Sequence, residues 1–360
     1  MSKRSRVFAL MLAMVMVLAA CGNGSETTTT TTSGGGGDTT TTAPSDTTTT
    51  TEAAPTEEEV ELVLAHSYQD DQPQVRCGAF VIKEVAEGEN VGLTIEIFGA
   101  STLGGDAARI ESVISGDIDI DIQGASALAS VYAPMTVVDG AFVFDDSEHL
   151  YNYFSSDASK ALKDGFYEAT GVRILGAWNT GARQFTANKP IREPADLEGL
   201  RMRFPPSPTF LLNAAAMGAN AVEVAYEELY LALQQGTVDG QENPLVNIYA
   251  INLAEVQDYI SLSSHQLSSN LVIMGQKWDQ LSPAQQAAIQ KGVDEAMIRE
   301  PECAAEDEES ILQEWRDNGA IEIIDDVNRE AFREKVEPYL RENFTDEQIE
   351  VLEAIRSAAE

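Results

Sequence analysis

The sequence predicts an α/β fold, because short apolar-rich strand patterns alternate with helical ones along most of the chain. The clearest strands are Leu93 to Phe98 (LTIEIF) and Asp117 to Ile122 (DIDIDI), both of period two. The first element is Glu61 to Ala65 (ELVLA), an apolar-rich strand that ends at His66. A helix follows from about Pro73 to Glu87, and after LTIEIF a second helix covers Asp106 to Ser115 and stops at Gly116. In DIDIDI the isoleucines take one face and Asp117, Asp119 and Asp121 the other. Those carboxylates sit about 6.8 Å apart, too far to share one small ion, so they read as a solvated strand face. Strands joined through helices form parallel β-α-β units, and open sheets of this kind bind ligands beyond the carboxyl ends of their strands. That rule marks His66, Gln123 and Gly124 as cleft-lining candidates, with a structural role as the other reading of His66.

The second half carries the chemistry. A strand at Val172 to Ala177 runs into a turn rich in Asn, Thr and Gly that holds Trp178 and Arg183. Leu200 to Phe204 is a further strand, with Leu200, Met202 and Phe204 on one side and Arg201 and Arg203 on the other. Pro205 and Pro206 stop it, and Ser207-Pro208 starts a helix. Arg203 therefore lies at the carboxyl end of a strand and beside a helix N-terminus, and both features favour an anion. Its guanidinium offers two parallel donors matched to a carboxylate. Tyr226 opens a helix whose apolar face is Leu229, Ala232 and Leu233, so it packs either on a ligand or in the core. A polar loop, Thr237 to Pro244, comes next, and Asn243 is pushed toward an extended backbone by the proline after it. Ser282-Pro283-Ala284-Gln285 is a capping box that begins a long amphipathic stretch reaching Gly319, which Pro301 should kink or break. A long helix so late in a two-lobed chain would brace both halves. The tail from Val327 to Glu360 is helical and charged.

The front of the chain sets the location. Lys3, Arg4 and Arg6 precede an apolar run from Val7 to Ala20, too short for a membrane span and suited to an export signal. It ends Leu18-Ala19-Ala20-Cys21, which resembles a bacterial lipobox and marks Cys21 for lipidation. Residues 22 to 58 are mostly Thr, Gly, Ser and Pro, cannot bury enough surface to order themselves, and read as a disordered tether with a reach of roughly 35 Å. The remaining ~300 residues form one large domain or two lobes, and 43% hydrophobic content is ample for a core. A formal net charge of −36 excludes nucleic acid and an anionic lipid surface as partners, and makes each basic residue informative. Cys77 and Cys303 either form one disulfide, as an exported location permits, or stay as two buried thiols. Only three histidines exist, His66, His149 and His265, and no spacing resembles a metal site. No nucleophile–histidine–acid arrangement supports a hydrolase, so the sequence reads as that of a non-enzymatic protein without a cofactor.

Against this background the run RQFTANKPI…DLEGLRMR…GAN…YEELYLALQQGTVDGQENP resembles the solute-binding proteins of tripartite ATP-independent periplasmic (TRAP) transporters, the DctP-like family. The earlier LAH…LGG…GDIDI…GAFVFDD pattern fits as well, so the resemblance covers residues from about 60 to 330. It implies a two-lobed periplasmic-binding-protein-like fold with a hinge, closing around an organic acid and handing it to membrane permease subunits. On that basis the chain divides into a signal peptide (1–20), a lipidated Cys21 with its tether (21–59), a first lobe (60–180 and 269–308) and a second lobe (181–268 and 309–360). It also implies a site extracytoplasmic and lipid-anchored to the outer face of the cell membrane. Carried over by position, Arg203 matches the arginine that pairs with the ligand carboxylate and Arg183 a second basic contact. Tyr226 matches an aromatic that packs on the ligand, Asn243 the amide of the Glu-Asn-Pro segment, Asn270 a polar contact near the hinge, and His66, more loosely, the end of the first strand. Two departures stand out. No acid occupies the Gln123–Gly124 position where some members place one, and the usual proline is missing from Gly218-Ala219-Asn220-Ala221. A receptor that presents its ligand to a sensor is the alternative functional class.

Overall fold

The structure, a computed structural model, describes residues 58–359. The predicted export signal, Cys21 and nearly all of the tether lie outside the described residues. No described helix is long and apolar enough to cross a membrane.

Ten strands form a single connected sheet: β1 (Val60–His66), β2 (Leu93–Phe98), β3 (Ile120–Gln123), β4 (Arg173–Ala187), β5 (Arg201–Phe204), β6 (Asn220–Glu223), β7 (Gly240–Pro244), β8 (Tyr259–Ser261), β9 (Leu267–Met274) and β10 (Glu322–Ile324). The main order is β2-β1-β3-β9-β4-β7-β5-β6, with β8 joining β4 to β10. As β-α-β units require, β1 runs parallel to β2 and β3, and β5 runs parallel to β6 and β7. Antiparallel β9 and β4 stitch the two parallel sets together.

Three expectations change. DIDIDI is not a solvated strand face. Its strand begins only at Ile120, and all four residues of β3 are buried because β1 and β9 flank it. Asp121 is fully buried and accepts Arg109 Nε at 2.9 Å, while Asp119 accepts the Val63 backbone N–H at 2.8 Å. Neither the Asn/Thr/Gly stretch after Ala177 nor Gly240 to Pro244 is a loop: both are strand. β4 runs for 15 residues through the expected turn, and the turn-forming residues mark only a register shift between Asn179 and Ala182. There Gly181 has φ +103°, a conformation that costs glycine little. The third change concerns Pro301, across which the helix Pro283–Asn318 continues as one assigned element of 36 residues. Its first half packs on the helix Phe80–Gly88 and on β4, with Ala288, Ile289, Val293 and Met297 in one apolar cluster with Val81, Ile82 and Leu175. Its second half packs Ile311 and Trp315 with Leu229, Leu233 and Ile260. The helix thus serves two apolar clusters.

The segment expected as a helix from Pro73 has π geometry over Gln74–Ala79 before the α-helix Phe80–Gly88, a form often found at functional sites. Cys77, in that π turn, forms a disulfide with Cys303 on the long helix, across 226 residues of sequence. The charged tail also divides its contacts. Helix Arg329–Asn343 packs on helix Pro208–Met217, whereas Asp346–Ser357 lies against Ala133–Val137 and Ser147–Ser155, with Gln348 Nε2 donating to Ala133 O.

Where the long helix crosses β4 it places two carboxyls against the register shift. Thr180 Oγ1 donates to buried Glu300 at 2.6 Å, and Glu308 lies against Gly181. Burial raises the Glu300 pKa well above the usual range and moves that of Glu308 from 4.5 to about 7, against the opposing pull of the Leu245 backbone N–H. A raised acid pKa means the fold prefers the protonated form. The stabilisation is full below pH 4.5 and is lost as pH rises through about 7. Glu308→Gln is therefore expected to stabilise the protein at pH 8, by at most about 3 kcal/mol, with the gain shrinking toward zero near pH 4.5. Urea unfolding at the two pH values checks this, and an equal effect at both would reject it.

Candidate functional site

A cavity of about 360 Å³ opens among the carboxyl ends of β5 and β1, the Gly124–Ser130 segment, the mouth of helix Pro208–Met217 and the middle of β9. Arg183, Arg203, Tyr226, Asn243 and Asn270 all line it, as does Gly124. The two remaining sequence-predicted residues do not. His66 is buried at the end of β1, where its ring lies close to Gly99, and burial foremost, with Arg109 adding to it, lowers its pKa to about 4. The imidazole is packed away from the cavity lining. Gln123 is buried one residue before the lining begins, and its amide finds no hydrogen-bond partner among the described residues.

The two arginines differ in what they already hold. Arg183 projects from β4, which pairs with β7 so that Arg183 faces Pro244 and Gln184 faces Asn243. Its guanidinium grips Glu242 with Nε and with Nη2, the latter at 2.7 Å from Oε1, and Nη2 also donates to the Glu242 carbonyl at 2.8 Å. Nη2 reaches Asn243 Oδ1 at 3.2 Å and Nη1 reaches Ser268 Oγ at 3.1 Å, and the group lies 4.7 Å from the centre of the Phe210 ring. Burial alone would push the Glu242 carboxyl up, but Arg183 and His265 outweigh it and hold it below the usual range. Behind this pair, His265 Nε2 stands 3.4 Å from Glu242 Oε2 while Nδ1 meets Ser263 Oγ at 2.8 Å. Its ring stacks on Phe185 at 4.3 Å, and burial lowers its pKa.

Arg203 has no such partner. It is 1% exposed, and its one hydrogen bond among the described residues runs from Nε to the Val224 carbonyl at 2.7 Å. Nη1 is buried and has no acceptor. Burial first, then repulsion from Arg183, lowers its pKa from 12.5 to about 10, although Glu242 pulls the other way. A buried cation of this kind needs an anion to compensate it. Its neighbour Arg201, on the same strand, is exposed and bound to Asp239 at 2.5 Å, so it plays no part in the cavity.

Polar groups complete the walls. Asn270 Nδ2 donates to Tyr68 OH at 2.6 Å and its Oδ1 is unpartnered. Tyr226 OH donates to the Asn247 carbonyl at 3.0 Å. Asn243 Nδ2 donates to Gln241 Oε1 at 2.6 Å, which fixes the amide that Arg183 touches. Buried Asp139 accepts from Ser269 Oγ at 2.6 Å and from the Ser126 N–H at 2.8 Å. Ser67, Ser130 and Ser207 add hydroxyls. Sequence reading missed Glu242, Asp139 and Tyr68. Glu242 left a signal, since a buried arginine demands a carboxylate and Gln241-Glu242-Asn243 carries one, but the β4–β7 register that brings them together is not visible in sequence. No group of three or more potential metal ligands occurs among the described residues.

Fold and cavity together define a periplasmic solute-binding protein, not a chain that merely shares an α/β sheet. The chain belongs to the DctP family, described as bacterial extracellular solute-binding protein, family 7, whose model matches residues 64–347. It is 31% identical to the 2,3-diketo-L-gulonate-binding periplasmic protein of Escherichia coli (strain K12) over 77% of this chain and 84% of that protein. The sugar acid binding protein of Advenella mimigardefordensis, solved in complex with galactonate, superposes with a TM-score of 0.77 at 28% identity, covering 84% of this chain and 99% of that one. A TRAP periplasmic solute-binding protein of Shewanella oneidensis with bound succinate gives 0.77 at 26% identity, covering 84% and 100%.

Proposed function

We propose that this protein captures an organic acid in the cavity and delivers it to TRAP membrane permease subunits, without catalysing a reaction. The carrying observation is the buried guanidinium of Arg203, whose Nη1 has no acceptor among the described residues while Arg183 beside it is already matched by Glu242. In this reading Arg203 takes the carboxylate, Tyr226 packs on the carbon chain, and Asn270 and Asn243 orient the rest. Charge-assisted hydrogen bonds contribute about 1.5–3 kcal/mol each, and a micromolar complex needs about 8 kcal/mol, so two such bonds plus packing reach that range. The lobes, 60–180 with 269–308 and 181–268 with 309 onward, close around the ligand by bending where β4 shifts register. Helix Asp346–Ser357, which that division puts in the second lobe, packs on first-lobe residues Ala133–Val137 and Ser147–Ser155, so it moves with the first lobe instead. Lipidation at Cys21 would hold the domain at the outer face of the cell membrane on its Thr-rich tether, and binding favours closure only to the extent that the closed form binds more tightly.

A thermal-shift panel of organic acids tests this reading. At least one carboxylate is expected to raise the melting temperature with rising concentration, and neutral sugars of the same size should not. A protein indifferent to every acid, or one that turns a bound acid into product, would reject it.

A further inference from the structure

The charge around the cavity is unevenly committed. Two cations line it, Arg183 and Arg203, and three carboxylates do, Asp106, Asp139 and Glu227. Arg183 is matched by Glu242. Asp106 is held by Arg109 Nη2 at 2.8 Å, and Asp139 accepts from the Ser126 N–H and from the Ser269 N–H and Oγ. Two charges are left without a partner among the described residues: the buried cation Arg203, with Nη1 unpartnered, and the anion Glu227, which makes no hydrogen bond or ion pair. Glu227 is exposed and reaches the facing wall, where its Oε1 lies 2.8 Å from the position a Cβ on Gly105 would take. It and Asp106 give the mouth of the cavity a negative rim.

The neutral polar groups point the same way. Asn270 is 1% exposed and presents an unpartnered Oδ1, an acceptor that only a donor can satisfy. Ser207 Oγ is buried and unpartnered too, and Tyr68 OH, which accepts from Asn270, keeps its own proton to donate. A carboxylate has no proton to offer Asn270, whereas a hydroxyl both donates and accepts. Resting on the organic-acid reading above, we propose that the cavity selects a hydroxylated monocarboxylate of the aldonate type over a dicarboxylate. Arg203 takes the single carboxylate, Asn270, Tyr68 and Ser207 face the hydroxyls, and Glu227 with Asp106 turns away a second carboxylate. A diacid would bring its far anion to carboxylates with no free cation to receive it, and such like-charge juxtaposition is strongly unfavourable.

Calorimetry on the purified protein, with four- to six-carbon aldonates set against the unsubstituted dicarboxylates succinate, glutarate and adipate, tests the selectivity. The best aldonate is expected to bind about 100-fold more tightly than the best diacid. Glu227→Lys, a change at an exposed position, should narrow that gap by at least about tenfold by supplying the missing cation. A diacid within about tenfold of the best aldonate, or a gap untouched by Glu227→Lys, overturns the selectivity or its assigned cause while leaving organic-acid binding in place. Silence from every acid overturns the organic-acid reading and this inference together.

Discussion

Arg203→Met is expected to abolish organic-acid binding while leaving the unliganded protein as stable as the parent or more so. The two halves of that expectation have one cause. Burial moves the Arg203 pKa from 12.5 to about 10, so the fold holds the charged form at a disadvantage, a cost of about 3 kcal/mol at one pKa unit per 1.36 kcal/mol. No acceptor among the described residues meets Nη1, and Glu242, the nearby acid, is spent on Arg183. Methionine keeps much of the stem's volume and removes the charge, so the cost disappears. The ligand, in contrast, loses two charge-assisted hydrogen bonds. At about 1.5–3 kcal/mol each that is roughly 100-fold to 10⁴-fold in affinity. Urea unfolding without ligand and calorimetry with the best acid measure the two halves separately. A variant that binds as the parent does would remove Arg203 from the site. A variant that loses binding because it no longer unfolds cooperatively would show that the guanidinium is structural.

Arg203 was legible because its signals are local: a strand, a proline stop and a helix start place the side chain at a strand end whatever the rest of the chain does. Tyr226 and Asn243 were marked by a helix start and by the proline after Asn243, Asn270 by resemblance alone, and the cavity brings all three beside Arg203. What sequence could not supply is non-local. The aspartates of DIDIDI looked solvated because alternation reports two different faces, not whether the second face is wet. β3 is an interior strand, and the buried Asp121 is met by Arg109, 12 residues earlier, at 2.9 Å. Likewise Asn179-Thr180-Gly181 has the composition of a turn, yet β4 runs through it with only a register shift against β9, and Glu300 accepts from Thr180. His66 sits at a strand end as predicted, but the ring packs under Gly99 instead of reaching the cavity. Tertiary pairing decided each of these cases.

Removing Glu242 should be the most damaging single change near the cavity. Glu242 and Arg183 are both buried, and the pair is bidentate, so Glu242→Ala strands a guanidinium that retains only neutral partners, Ser268, Asn243 and one carbonyl. Breaking a buried pair from one side costs about 3–5 kcal/mol, because the remaining charge is neither solvated nor compensated. The Glu242 pKa, held below the usual range by Arg183 and His265 against burial, gives the pH dependence. The stabilisation is present above pH 4.5 and is lost as pH falls through the folded value, so parent and variant should converge in acid. The companion variant Arg183→Met/Glu242→Leu removes both charges and should recover most of the loss, since an apolar pair of similar volume avoids the desolvation of two ions. Urea unfolding of the parent, Arg183→Met, Glu242→Leu and the double variant gives the coupling energy directly. A coupling near zero would mean that the contact is incidental. If Glu242→Ala instead proved neutral for stability and admitted succinate, Glu242 would be holding the second cation of the cavity in reserve against diacids, and specificity rather than stability would be its work.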